Sequence, residues 1–123
     1  MWQFQQSTGT LTASEGTPYA GGYSGHGLGV NNPSMQQEHD VGPIPVGLYA
    51  IGQPYVDPEK GPLVMRLTPD PGNEMFGRGG FLMHGDLVTE VGLRLASLGC
   101  IIEPHATRLA VATSGDNKLQ VIS

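Results

Sequence analysis

The sequence predicts a mainly β domain with one principal helix near the C-terminus. The chain of 123 residues contains 19 glycines and 10 prolines, and its apolar residues fall in short clusters between them, as expected for short strands joined by many turns. Five prolines between positions 43 and 62 exclude a long helix in that region. A helical pattern with a proline at its start appears only late in the chain. We take residues 1–123 as one domain, because this length supports a single hydrophobic core.

The first third of the chain reads as a hairpin followed by a long loop. Residues 2–7 and 10–14 favour strands, and Thr8-Gly9 between them is typical of a turn. Residues 16–32 are rich in glycine, serine, asparagine and tyrosine. Long ordered loops in compact domains are often binding elements. The alternative interpretation is a surface flap without a function.

Four later segments are predicted to be strands, namely residues 46–56, 63–67, 81–84 and 118–122. In the first of them Leu48 and Ala50 alternate with Tyr49 and Ile51, which indicates two faces of one strand. Tyr49 is a candidate to line a binding cleft, although a tyrosine in this pattern more often packs in the core.

The one convincing helix follows Pro104, which suits a first helical position. Gly115 can end this helix. We expect it to pack on the sheet through residues that share one face: Ala106, Leu109, Ala110 and Thr113. A further helical turn is predicted at residues 92–96.

Composition and charge exclude several classes of function. Six Lys and Arg residues against eleven Asp and Glu give a formal charge of −5 without a basic stripe, so nucleic acid is not expected as a partner. One cysteine excludes an intramolecular disulfide, and no CxxC or Cys/His cluster predicts structural zinc or another metal. No cofactor is expected. The start of the chain has no signal-peptide pattern and no apolar run reaches 18 residues, so neither membrane insertion nor the general secretory route is predicted.

The most informative pair is His84, at the end of an apolar run, and Cys100, the only cysteine. A thiol becomes a strong nucleophile as the thiolate, and a nearby imidazole is a common way to generate it near neutral pH. Gly85 and Gly99 remove side-chain bulk beside both residues, where a substrate backbone would approach. The amides of Gly99 and Cys100 are a candidate oxyanion hole. The alternative is a buried thiol and a structural histidine.

Four segments together resemble the L,D-transpeptidase catalytic domain (the YkuD-type fold). They occur in that family's order: Gln6-Ser7-Thr8-Gly9, residues 42–51 with the sequence GPIPVGLYAI, Met83-His84-Gly85, and Ser97-Leu98-Gly99-Cys100-Ile101. The resemblance implies an L,D-transpeptidase-like β-sandwich or partial barrel with the late helix packed against it. It also implies a catalytic His84–Cys100 pair.

Three departures from the family pattern indicate a diverged branch. Leu98 stands where the family usually has a second histidine, Ile102 where arginine is common, and the interval from His84 to Ser97 is short. Within the superfamily the chain is similar to small type VI secretion effectors, which one bacterium injects into another. Further segments carry that similarity: Trp2 and Phe4 at the start, residues 22–25, Asn32-Pro33, Gly77-Arg78 and His84-Gly85-Asp86.

The resemblance implies a substrate, partners and a place of action. The substrate would be a peptidoglycan stem tetrapeptide, attacked by the Cys100 thiolate between meso-diaminopimelate and the terminal D-alanine. Hydrolysis, exchange of D-alanine for another D-amino acid, and cross-linking all remain open, although trimming or exchange suits a toxin better. The protein would be made in the producer cytoplasm without a signal peptide and act in the periplasm of the target cell. A cognate immunity protein and components of the secretion apparatus would be its partners.

Other residues are candidates for the site. The family implies a backbone carbonyl near residues 97–99 as the group that orients His84, and Asp86 is a second candidate orienter or a solvated turn carboxylate. Ser97 is expected to hydrogen-bond within residues 97–100, here called the cysteine loop, or to cap a turn. Arg78 could pair with a substrate carboxylate or form an ordinary surface ion pair. Tyr23 and Ser24 are expected to border the cleft.

Three rival functions stay open at this point. A cysteine amidase of the papain type would use a histidine after Cys100, for which only His105 qualifies. A metal-dependent peptidase would draw on His26, His39, Asp40, His84 or Asp86, although their spacing matches no familiar metal motif. The non-enzymatic alternative is a module that only binds wall peptides.

Overall fold

The computed structural model describes residues 1–86 and 96–123 and is mainly β, as predicted. The strands of these residues are β1 Trp2–Gln5, β2 Leu11–Thr12, β3 Pro18–Tyr19, β4 Tyr23–Ser24, β5 Gly47–Ile51, β6 Tyr55–Asp57, β7 Gly61–Pro69, β8 Leu82–His84, β9 Ile101–Ile102 and β10 Lys118–Ile122. One α-helix, α1, spans His105–Thr113. Short 3₁₀ turns lie at Gly27–Gly29 and Pro33–Met35.

The ten strands form one mixed sheet within the described residues, in the order β3-β2-β1-β10-β5-β7-β8-β9-β4, with β6 pairing with β7. Two neighbouring pairs are parallel: β1 with β10, and β8 with β9. The long strand β7 joins the halves of the sheet, because residues 67–69 pair with β5 while Met65 and Arg66 pair with β8. This connection places β8 and β9 beside the main sheet.

The hydrophobic core lies under β1, β5, β7 and β10, where alternate side chains point inward. On β1 the residues Trp2 and Phe4 are buried, and on β10 so are Leu119 and Val121. Tyr49 and Ile51 face the same core while Leu48 is 45% exposed, as the alternation in the sequence predicts. Full burial of an aliphatic or aromatic side chain contributes roughly 2 kcal/mol. Met83 and Ile101 extend this core beneath β8 and β9.

The prediction for the inner face of the helix was mostly wrong, since Ala110 packs against the core but the other three predicted residues are exposed. The buried residues of α1 are Thr107, Arg108 and Val111, whereas Ala106 is exposed and Leu109 is 47% exposed. Arg108 occupies the inner face because its guanidinium donates to carbonyls at Pro62, Leu63 and Glu103. Hydrogen bonds to backbone oxygens offset the cost of burying this charge. Pro104 is the N-cap, one position before the predicted first helical residue, and Gly115 follows the end of the helix as expected.

The predicted hairpin is confirmed, since β1 and β2 pair antiparallel. Residues 16–32 are more ordered than the predicted loop, because they contain β3, β4 and a 3₁₀ turn. In particular, β4 pairs with β9 beside the cysteine loop. The helical turn predicted at residues 92–96 falls almost entirely outside the described residues. No helix among residues 1–86 and 96–123 is long and apolar enough to cross a membrane.

Candidate active site

Parallel pairing of β8 with β9 places His84 and Cys100 on the same face of the sheet. Met83 lies opposite Ile101 and His84 opposite Ile102, so Cys100, one residue before β9, lies beside Leu82. The Leu82 N–H donates to the Cys100 sulfur at 3.3 Å. Because side chains alternate along a strand, His84 and Cys100 project away from the core in which Met83 and Ile101 are buried.

The two candidate catalytic side chains line one cavity of about 250 Å³. Its other lining residues are Asp40, Lys60, Gly79, Gly80, Phe81, Leu82, Ala96 and Leu98. A second cavity of about 300 Å³ adjoins His84 and is lined by Glu59, Lys60, Gly61, Pro62, Gly85, Asp86, Ala96 and Arg108. His84 therefore lies between two recesses, and one of them contains the thiol.

The His84 ring is arranged as a base. Its Nδ1 lies 2.8 Å from the carbonyl oxygen of Gly85, and since a carbonyl only accepts, Nδ1 carries the proton. Nε2 is then the basic nitrogen, and it is buried without a hydrogen-bond partner among the described residues. Burial lowers the pKa of His84 below its usual value, and the charges of Lys60 and Arg108 act in the same direction. The Gly85 carbonyl and Asp57 oppose this shift.

Cys100 rests as a thiol. Burial raises the pKa of Cys100, while the Leu82 N–H, Lys60 and Arg78 oppose that rise. A neutral thiol beside a neutral imidazole is the combination in which a base can remove the thiol proton as the substrate is attacked. No hydrogen bond joins Nε2 to the sulfur in this unliganded structure, and such bonds often form only when the substrate is bound.

Ser97 is the centre of the cysteine loop. It is fully buried, and its hydroxyl donates to the Cys100 carbonyl at 2.7 Å and accepts from the amides of Gly25 and Gly99, each at 3.0 Å. The prediction that Ser97 bonds within this loop agrees with these contacts. Because the Gly99 N–H is used here, it is not free to join the oxyanion hole that we predicted. The Cys100 N–H donates no hydrogen bond within the described residues.

The group that orients His84 also differs from the expectation. The family resemblance placed the orienting carbonyl near residues 97–99, but the carbonyl in contact with the ring belongs to Gly85. Asp86 accepts a hydrogen bond from the Tyr23 hydroxyl at 2.9 Å, and the same hydroxyl accepts from the Ala96 amide. Tyr23 is only 3% exposed, so its contact with the site runs through Asp86 and Ala96 rather than across an open surface.

Ser24 is buried and forms a hydrogen bond to the cysteine loop, so it does not border the cleft as predicted. It is fully buried, and its hydroxyl donates to the Gly99 carbonyl and accepts from the Ile44 amide, each at 2.8 Å. A substrate cannot reach this hydroxyl without opening the pairing of β4 with β9. The sequence prediction of a substrate contact therefore gives way to a structural role.

Arg78 likewise positions the cysteine loop. Its guanidinium donates to the carbonyls of Gln36, Gly42, Pro43 and Leu98 and lies 5.2 Å from the Phe81 ring centroid. The side chain is 8% exposed, so these contacts leave little of it for a substrate carboxylate. Gly99, at φ +138°, is required here because a Cβ would lie 2.5 Å from the guanidinium.

Sequence reasoning missed three charged residues near His84: Lys60, Glu103 and Arg108. Arg108 packs against Gly85, where a Cβ would lie 2.7 Å from its Nη2. The Glu103 amide donates to the His84 carbonyl at 3.0 Å. The sequence offers two signals here: the proline before the helix and the run of turn residues at positions 57–61. Both indicate backbone geometry, and neither indicates that a charged side chain lies near His84.

Within residues 1–86 and 96–123, the arrangements needed by two rival functions do not occur. His105 is an exposed residue at the start of α1, and it does not line the Cys100 cavity. In the part of the chain that the structure describes, no three His, Cys, Asp or Glu side chains converge as metal ligands.

The fold has a counterpart among solved structures. It resembles the helical cell shape determining protein Pgp2 from Campylobacter jejuni with a TM-score of 0.64 at 20% sequence identity. The match covers 98% of this chain and 46% of that chain, so this chain spans less than half the length of the protein it resembles. At this identity the likeness shows the fold alone. No curated protein matches the sequence significantly.

The family assignment comes from the sequence as a whole. The model of the Tlde1 domain matches residues 19–122, which include β4 to β10, the cysteine loop and α1. This agrees with the L,D-transpeptidase-like motifs around His84 and Cys100. The chain therefore belongs to the Tlde1 family of type VI secretion effectors, which are L,D-transpeptidase-like.

Proposed function

We propose that this chain removes or exchanges the terminal D-alanine of peptidoglycan stem tetrapeptides, with Cys100 as the nucleophile and His84 as its base. The observation that carries the proposal is the position of both side chains in one cavity, where the basic His84 Nε2 has no hydrogen-bond partner among the described residues. The family supports an enzyme acting on peptidoglycan. The tetrapeptide and the cysteine mechanism are our inference.

The reaction begins with proton transfer from the Cys100 thiol to His84 Nε2. The Gly85 carbonyl holds the ring through Nδ1 and stabilises the imidazolium that forms, as an orienting acceptor does in other nucleophile–histidine pairs. The Leu82 N–H, which already faces the sulfur, stabilises the thiolate. Both contacts favour the charged pair at the moment of attack.

The thiolate adds to the carbonyl carbon of meso-diaminopimelate, and the carbonyl oxygen becomes an oxyanion. The Cys100 N–H is available to bind this oxyanion, because it makes no other hydrogen bond within the described residues. The C–N bond then breaks, and His84 returns its proton to the leaving D-alanine amine. A thioester on Cys100 remains.

Three acceptors can resolve the thioester. Water gives the tripeptide, a free D-amino acid gives exchange, and the amine of a second stem gives a cross-link. Hydrolysis and exchange both consume the tetrapeptide donors from which a wall is cross-linked, and this depletion suits an antibacterial effector. We therefore place trimming and exchange ahead of cross-linking.

The place of action follows from the substrate. Peptidoglycan lies outside the cytoplasm, so the protein acts in the periplasm of the target cell, and the producer needs an immunity protein there. The experiment is to express the protein in a bacterium with and without an added export signal. We expect toxicity only with export and only with Cys100 intact. Toxicity in the cytoplasm that survives Cys100→Ala would contradict this.

The biochemical test is incubation of purified muropeptides with the wild-type protein, Cys100→Ser and His84→Ala. Mass spectrometry should show tetrapeptides converted to tripeptides, and to exchanged tetrapeptides when another D-amino acid is added. Both variants should lose this conversion by orders of magnitude. Cleavage at a sugar–peptide amide would indicate the rival amidase, and binding without turnover or thiol reactivity would indicate a binding module.

A further inference from the structure

Among the described residues, Lys60 is the only lysine or arginine that lines both cavities beside His84. It lies in the turn between β6 and β7 and lines both cavities beside His84. Besides His84, Ala96 is the other described residue shared by the two cavities. The positive charge of Lys60 acts on both Cys100 and His84, since it lowers the pKa of each. Lys60 therefore borders both recesses beside the candidate reacting groups.

The turn that carries Lys60 is fixed by its own backbone. The Asp57 carboxylate accepts hydrogen bonds from the amides of Glu59 and Lys60, each at 2.9 Å. Gly61 follows at φ +87°. An aspartate that caps a turn in this way is a common device for holding a loop in one conformation. The base of the Lys60 side chain is thus anchored, while its long stem remains free to reach a ligand.

Two other cations near the cavities in the described part of the chain, Arg78 and Arg108, are already occupied. The guanidinium of Arg78 donates to backbone carbonyls of residues 36–43 and of Leu98, and that of Arg108 donates to carbonyls on three segments. Lys60 is exposed, and its ammonium makes no ion pair within residues 1–86 and 96–123. Of these three cations, Lys60 is the one that can pair with an anion of the substrate.

The remaining charges in the two cavities are acidic. Asp40 lines the cavity of Cys100, and Glu59 and Asp86 line the other. These groups repel a substrate carboxylate, whereas Lys60 is the exposed cation of the described lining and attracts it. A peptide whose scissile bond precedes its last residue carries its free carboxylate one residue beyond that bond, and adjacent α-carbons lie only about 3.8 Å apart. The anion must therefore be bound close to the nucleophile.

We propose that Lys60 is a specificity-determining residue that binds the C-terminal carboxylate of the stem peptide while Cys100 attacks the preceding carbonyl. This rests on the proposed function and deepens it. The pairing would restrict cleavage to the last residue of the stem and exclude stems that continue beyond it or end in an amide.

The test compares two synthetic peptides, L-Ala-γ-D-Glu-meso-diaminopimelyl-D-Ala with a free carboxylate and the same peptide with a C-terminal amide. The wild-type protein should cleave the acid with a kcat/KM at least about tenfold above that of the amide. Lys60→Met keeps the apolar stem and removes the charge, so it should lower kcat/KM for the acid, mainly through KM, and by a larger factor than for the amide. Lys60→Arg should restore the preference, and Lys118→Met, at an exposed lysine of β10, is the matched control.

Two results would overturn the assignment. One is a wild-type protein without preference for the acid, and the other is a Lys60→Met variant that loses activity equally on both peptides. Calorimetric binding to Cys100→Ala keeps this claim separate from the reaction. If the wild-type protein turned over neither peptide, the proposed function would fail, whereas tighter binding of the acid that Lys60→Met abolishes would still support Lys60. Equal affinity for the two peptides would refute it.

Discussion

Glu103 offers the sharpest test of the electrostatics around the site. Its carboxyl is 1% exposed, and both oxygens are buried without hydrogen-bond partners among the described residues. The carboxyl lies directly over Gly22, where a Cβ would meet it at 2.0 Å. Burial raises the pKa of Glu103 to about 9, and the opposing charge of Arg108 does not cancel this effect. At neutral pH the folded protein therefore holds Glu103 as a neutral acid.

The pH dependence of stability follows from this shift. The folded-state pKa lies above the usual value of 4.5, so the folded protein binds one more proton than the unfolded chain between these two values. Stability then falls as pH rises through this window, by about tenfold in the folding equilibrium constant per pH unit, and levels off above about pH 9. At pH 7 the accumulated cost is on the order of 3 kcal/mol.

Glu103→Gln removes this cost, because glutamine copies the shape of the neutral carboxyl and cannot ionise. Urea unfolding of both proteins between about pH 5 and pH 8 should show nearly equal stability at the acidic end and a growing advantage of the variant above it. Comparing the two proteins at each pH cancels the contribution of other titrating groups. Glu15→Gln, at an exposed position, is the matched control and should change little. A Glu103→Gln difference that does not vary with pH would refute the reasoning.

Three further outcomes are expected. Cys100→Ala and His84→Ala should each lower tetrapeptide turnover by orders of magnitude, and the double variant should be hardly worse than either, as single-turnover assays can show. Because His84 must be neutral and Cys100 protonated at rest, kcat/KM should stay level from below pH 6.5 to above pH 9. A fall in kcat/KM centred within that range would contradict the assignment of His84 as the base and Cys100 as the nucleophile. Gly22→Ala should destabilise the fold by about 1–3 kcal/mol in urea unfolding, since the Glu103 carboxyl blocks the added methyl group. Gly79→Ala, where the added methyl group meets open space, should leave stability unchanged. Equal destabilisation by the two variants would argue against crowding by the Glu103 carboxyl as the cause.

The strands were predictable because their burial follows local periodicity. The alternation of Tyr49 and Ile51 with exposed neighbours, and the short apolar run that ends at His84, mark strands that the structure contains. The strand β4 falls within the predicted loop of residues 16–32, because two residues are too few to show an alternation of apolar and polar side chains. Its pairing with β9 depends on a segment far away in the sequence.

The inner face of α1 was mispredicted because hydrophobicity alone ranks Leu109 above Arg108. The carbonyls that hold the Arg108 guanidinium come from residues 62, 63 and 103, and only the folded chain assembles them. The same reason applies to Arg78, whose acceptors lie on residues 36–43 and Leu98. A buried cation paired with carbonyls leaves no local pattern in a sequence.

The candidate pair was accessible from the sequence, whereas its surroundings were not. His84 and Cys100 stand in motifs with recognisable neighbours, so residue types and order suffice to single them out. The use of the Gly99 amide by Ser97 and the place of Lys60 between two cavities depend on turns brought together by the fold. Which of the two predicted amides is available as an oxyanion donor, and which cation borders the cavities, therefore depends on the folded structure.

The central claim is that Cys100 forms a covalent thioester with the stem peptide, and intact-protein mass spectrometry tests it most directly. The protein is mixed with the tetrapeptide, quenched in acid within the first turnover, and weighed. We expect a mass increase equal to the tripeptide less one water, located on Cys100 by peptide mapping, and strongly reduced in His84→Ala. Tripeptide release by the wild-type protein with no adduct at any quench time, together with full activity of Cys100→Ser, would contradict the account.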